Sequence, residues 1–133
     1  MNLFKISSFL FLLICLSCIV TDKNRNSNVV FNETEHNFGT LKYKGVGEFM
    51  FTLKNKGDST IRITDVKASC GCTTTEWTKN WLKSGETGVI KVLYDTSISG
   101  VFAKSICVSF SGSDSPITLI VKGEVDFPEP MRI

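Results

Sequence analysis

The feature that most constrains this chain is the alternation of its apolar residues. Phe49, Phe51 and Leu53 stand two apart, as do Ile61 and Ile63, and Ile90, Val92 and Tyr94. Phe102, Ile106, Val108 and Phe110 share one parity, and so do Ile117, Leu119, Val121 and Val125. Successive strand side chains point to opposite faces, so a single apolar parity marks a strand buried on one side. No segment sustains the 3.6-residue period of a helix. Turn clusters such as Lys44-Gly45-Val46-Gly47 and Asn55-Lys56-Gly57-Asp58 separate the runs. About seven strands in about 110 residues is the size and count of an all-β, immunoglobulin-like antiparallel sandwich. Its core is expected to contain Phe49, Phe51, Leu53, Ile61, Ile63, Ile90, Val92, Ile106, Val108, Leu119 and Val121.

The first residues are set aside before any fold reasoning. Met1 to Lys5 is a short basic start, and Phe9 to Leu16 is an apolar core closed by the small residue Ser17. A membrane span needs about 20 apolar residues, and Phe9 to Val20 supplies only about twelve. Residues 1–17 are therefore expected to be a signal peptide. Leu16-Ser17-Cys18 resembles the end of a bacterial lipobox, although Cys15 stands where such boxes usually hold leucine. That resemblance implies acylation of Cys18 and attachment to a lipid bilayer, each buried methylene contributing about 0.8 kcal/mol. The polar stretch 18–28 reads as a tether, 29–127 as the sandwich and 128–133 as a tail. The expected location is the bacterial periplasm or outer membrane.

One stretch is displayed by this framework: Ala68-Ser69-Cys70-Gly71-Cys72-Thr73. In an extended strand two thiols at i and i+2 share a face with Cα atoms roughly 6.6 Å apart, near the limit for a disulfide. A left-handed or otherwise tight Gly71 would bring the sulfurs together. Once Cys15 leaves with the signal and Cys18 takes a lipid, Cys70, Cys72 and Cys107 remain, an odd number in a disulfide-permissive compartment.

Read in order, several segments together carry a family resemblance. They are His36-Asn37-Phe38-Gly39, Leu53 to Asp58, Ile63 to Thr73, Gly85-Glu86-Thr87-Gly88 and Phe102-Ala103-Lys104. The chain resembles the bacterial family known as domain of unknown function 1573, over roughly Val30 to Val125. Thr75 and Ser84 stand where that family usually has proline. The resemblance implies an exported, often lipid-anchored domain related to the immunoglobulin-like domains of the ASPM, SPD-2 and Hydin group. It implies no established activity and no cofactor.

Three chemistries stay open for Cys70 and Cys72: packing or a locked disulfide, thiol redox exchange, and Cu(I) binding through soft thiolates. Two thiolates do not complete a tetrahedral zinc site, and His36 and Cys107 are the other plausible donors. His36 is the sole histidine, and no partnered nucleophile accompanies it, so a hydrolase has little support. Trp77 and Trp81, four apart in a loop-like stretch where one helical turn could stack them, are candidates for a binding surface because exposed tryptophans favour interfaces. A formal net charge of +2 makes no case for nucleic acid. The reading is a non-catalytic, lipid-anchored binding or scaffolding module whose partner is an envelope protein or glycan. The alternative is a thiol redox or Cu(I)-handling protein.

Overall fold

The computed structural model describes residues 28–128 and 130. The expected signal peptide, Cys15, Cys18, nearly all of the tether and most of the tail lie outside those residues. Eight strands form in chain order: β1 Val29–Phe31, β2 Glu35–Leu41, β3 Glu48–Asn55, β4 Ile63–Ala68, β5 Thr73–Trp77, β6 Thr87–Tyr94, β7 Gly100–Phe110 and β8 Ile117–Val125. No helix occurs among the described residues. The strands divide into two four-stranded sheets, β1-β3-β6-β5 and β2-β8-β7-β4. The architecture is the all-β sandwich expected from the alternation.

Two features depart from the expectation. Val29–Phe31 and Glu35–Leu41 both form strands, which makes eight, and they lie in different sheets. The edge strand β2 also runs parallel to β8, so the second sheet is mixed rather than purely antiparallel. Its register shifts between Asn37 and Thr40, where Asn37 Oδ1 accepts the Gly39 N–H at 2.9 Å and Gly39 takes φ 64°. A side chain is disfavoured at that φ, so glycine closes the bulge.

The core is the shared inner face of the two sheets. Phe51, Leu53, Ile90 and Val92 on one side meet Ile63, Ile106, Val108, Leu119 and Val121 on the other, all buried. Phe49 and Ile61, also expected inside, are only half-buried and pack against that cluster. Ile61 sits outside the named strands in an isolated bridge to Leu82. A smaller cluster of Tyr94, Phe102 and Val125 closes one end of the sandwich, with Tyr94 stacked on Phe102 at 3.7 Å.

The two ends differ in what they carry. Residues 42–47, 69–72, 95–99 and 126–128 gather at the end closed by Tyr94 and Phe102, as the pairings Thr73↔Tyr94, Glu48↔Leu93 and Gly100↔Val125 require. Residues 56–62, 78–86 and 111–116 gather at the other, where Val29 pairs with Asn55 and the described chain enters. The eight residues of β3 separate the ends by about 26 Å.

Candidate functional site at the Cys70–Cys72 turn

The Cys70-Gly71-Cys72 segment is where the chain leaves β4, an edge of one sheet, and enters β5, an edge of the other. Backbone bonds fix it on both flanks. Ser69 N–H donates to Ser105 O at 2.9 Å, and Ser105 N–H donates to Ser69 Oγ at 3.2 Å. On the far side Asp95 N–H donates to Cys72 O at 2.9 Å, while Thr73 N–H reaches Cys70 O at 3.4 Å across the turn. A disulfide joins Cys70 to Cys72 with Cα atoms 5.4 Å apart.

Of the two routes open to Gly71, left-handed or otherwise tight, the turn takes the second. The glycines with positive φ are Gly39, Gly85, Gly100 and Gly112, and the turn tightens without using that region. A Cβ on Gly71 would meet no atom within 4 Å. Closing so short a loop contributes only about 1.6 kcal/mol by chain entropy. Neither the glycine nor the covalent bond is what holds the two sheets together here.

The surroundings are unequal on the two sulfurs. Cys72 packs against the Tyr94, Phe102 and Val125 cluster, whereas Cys70 belongs to neither apolar cluster. Burial first, and then the charge of Asp95, pushes the Tyr94 hydroxyl above its usual 10.0. The Ser97 hydroxyl and backbone N–H both donate to Asp95, at 2.6 and 2.9 Å, and hold its carboxyl below the usual range. Thr73, 5% exposed, follows Cys72 directly, and its buried Oγ1 finds no hydrogen-bond partner among the described residues.

The other candidate residues are scattered. His36 stacks on Phe49 at 3.5 Å, meets the edge of Phe38 at 4.8 Å and turns Nδ1 toward Glu33 at 3.7 Å. It lies on β2, the edge opposite β4, so three strand spacings, about 14 Å, separate it from Cys70. The proposed ligand set of Cys70, Cys72 and His36 is therefore not assembled. No cluster of three His, Cys, Asp or Glu side chains able to hold a metal occurs among the described residues. Cys107 is an exposed free thiol on β7, on the opposite parity to the buried Ile106 and Val108. It faces outward.

The tryptophans do not stack on a helical turn. Trp77 ends β5 half-buried against the core, with Lys79 Nζ 3.0 Å from its ring centroid. Trp81 is 54% exposed and carries the Arg62 guanidinium over its ring at 5.0 Å. Both lie toward the end opposite the disulfide.

That disulfide end holds what the sequence reading did not single out. Val46, Ile98, Val101 and Phe127 are exposed there, Val46 and Val101 at 80% and 84%. A groove of about 330 Å³ lined by Lys42, Tyr43, Asp126, Phe127 and Pro128 opens beside them. Val101 carries a legible signal, since it breaks the even parity of the buried Phe102, Ile106 and Val108.

Comparison with known proteins agrees with this architecture. A Porphyromonas gingivalis W83 protein of unknown function superposes with a TM-score of 0.64 at 16% identity, covering 72% of this chain and 46% of its own. This chain thus spans less than half of that relative's length. The ASH/PapD-like domain 7 of human CEP192 matches with a TM-score of 0.62 at 12% identity, over 77% of this chain and 87% of that one. A chain of the CsuC–CsuE chaperone–tip adhesion subunit complex of Acinetobacter baumannii matches at 0.52 and 8% identity, over 74% and 57%. At these identities the likeness is one of fold. No curated protein sequence matches. The family described as protein of unknown function (DUF1573) matches residues 29–125, nearly every described residue from β1 to β8, and the chain belongs to that family.

Proposed function

We propose that this chain is a non-catalytic, lipid-anchored binding module of the bacterial cell envelope. In this reading acylated Cys18 holds it to a bilayer, and the Cys70–Cys72 end meets a partner protein. The observation that carries the reading is the opposition of the two ends. The described chain enters beside Asn55, where Lys56 N–H donates to Asn28 O at 2.6 Å. The disulfide and the exposed Val46, Ile98, Val101 and Phe127 stand at the far end. A tether attached at one end therefore holds the other away from the membrane. Apolar side chains gathered at an exposed end cost solvation unless something covers them, and such patches mark protein-interaction sites. Trp81 and Trp77 lie on the tether side and are not part of this contact surface.

Two measurements test it. Cys18→Ala should move the processed protein out of the membrane fraction; membrane retention after correct cleavage would end the lipid reading. A photo-crosslinking residue at Val46 should give one discrete protein adduct, lost on Val101→Lys, while the same residue at Trp81 should give none. Equal adducts from both ends would sink the assignment of the binding end.

A further inference from the structure

We infer that the Cys70–Cys72 bond is a thiol–disulfide exchange site that takes an electron pair from a dithiol of another protein. This does not rest on the binding reading, because a small dithiol is enough to test it. The turn is anchored by Ser69, Ser105, Asp95 and Thr73 through bonds that do not involve sulfur. Opening the disulfide leaves every one of them in place. Gly71 is exposed between Cys70 and Cys72, which are each half-buried, so the turn that carries the bond reaches solvent. Structural disulfides resist reduction, whereas exposed ones are the labile and exchanging ones.

The two sulfurs take different roles. Cys72 is held against Tyr94, Phe102 and Val125, so the incoming thiolate meets Cys70 Sγ. A bond forms between the attacking sulfur and Cys70 Sγ, the Cys70–Cys72 bond breaks, and Cys72 leaves as a thiolate that takes up a proton. The second thiol of the donor loses its proton and attacks the mixed disulfide at its own partner sulfur, releasing Cys70 as a thiolate. The donor dithiol is oxidised to a disulfide by two electrons, and Cys70–Cys72 is reduced to a dithiol. Cys107, on the outer face of β7, takes no part.

The test is reduction of the full chain by dithiothreitol, followed by alkylation and peptide mass analysis of the Cys70–Cys72 segment. Reduction should be at least tenfold faster than that of oxidised glutathione under the same conditions, with the β circular dichroism unchanged and with the same rate in Cys107→Ser. A rate at or below that of oxidised glutathione, or reduction only as the β signal is lost, would overturn the proposal. The roles of the sulfurs are read from single variants exposed to oxidised glutathione. Cys72→Ser should form a stable mixed disulfide at Cys70 at least tenfold faster than Cys70→Ser forms one at Cys72. Equal or reversed rates would overturn the assignment of Cys70 as the attacked sulfur.

Discussion

The two ends of the sandwich each carry a segment by which the family is recognised, and the fold accounts for one far better than the other. At the end where the chain enters, Asn55 is fully buried. Its Nδ2 donates to the carbonyls of Ser59 and Leu82 at 2.8 and 2.9 Å, and its Oδ1 accepts the Gly57 N–H at 3.0 Å. Its backbone also accepts from Gly85 N–H at 2.6 Å and donates to Glu86 O at 3.0 Å. One side chain thus joins the turn after β3 to the connection between β5 and β6. At the other end Cys70-Gly71-Cys72 is tied by its neighbours' backbone, with a glycine that neither φ nor crowding demands. A motif residue explained by the fold needs no further role. One that the fold leaves free points outside the chain.

The largest effect expected from this contrast is at Asn55. Asn55→Ala leaves the Ser59 carbonyl and the Gly57 N–H without their partner, takes from the Leu82 carbonyl one of its two donors, the Ile61 N–H remaining, and opens a void. A buried polar group left unpaired costs about 1–3 kcal/mol, so a loss of about 3 kcal/mol is expected. Urea unfolding followed by circular dichroism measures it. A loss below about 1 kcal/mol would remove the contrast between the ends. Gly88→Ala comes next, because its Cβ would stand 2.9 Å from Leu82 Cδ1, and Leu82 is buried in the core. Overpacking of that kind costs about 1–3 kcal/mol.

The same contrast explains what was legible in the sequence. Parity within one strand located Phe51, Leu53, Ile90, Val92, Ile106, Val108, Leu119 and Val121, because burial on one face is a local, period-two property. Ile61 fell short because the chain is not yet in a strand there and makes only an isolated bridge to Leu82. The assignment of β1 and β2 to different sheets, and the parallel pairing of β2 with β8, follow from which partner each edge finds. Nothing local announces that. Trp77 was read within a loop-like stretch flanked by Thr and Gly, yet pairing with Ile90 of β6 makes it strand. The Cys-x-Cys stood out by composition, but its turn geometry did not, since Gly71 closes the turn without its special freedom.

At the disulfide end the effects should be smaller. Cys70→Ser combined with Cys72→Ser removes the covalent link and leaves the flanking backbone bonds. The loss should not exceed about 1.6 kcal/mol, well under that of Asn55→Ala, and the β circular dichroism should persist. Collapse of the domain on this substitution would make the bond structural and place the two ends on the same footing.

The smallest effect on stability belongs to Gly71→Ala, and it sharpens the comparison most. Alanine adds a Cβ into space that holds no atom within 4 Å, at a position outside the positive-φ region. Replacing a glycine where the native backbone suits alanine restricts the unfolded chain and stabilises by about 0.4–1 kcal/mol. Gly88→Ala, the same chemical change at the other end, should cost energy because Leu82 is in the way. Opposite signs from one substitution at two glycines would show that only one of them serves the fold. Gly71→Ala should therefore be as stable as the parent or slightly more so. Urea unfolding of the two glycine variants beside the parent decides it, and a loss of stability in Gly71→Ala would remove the contrast between the ends.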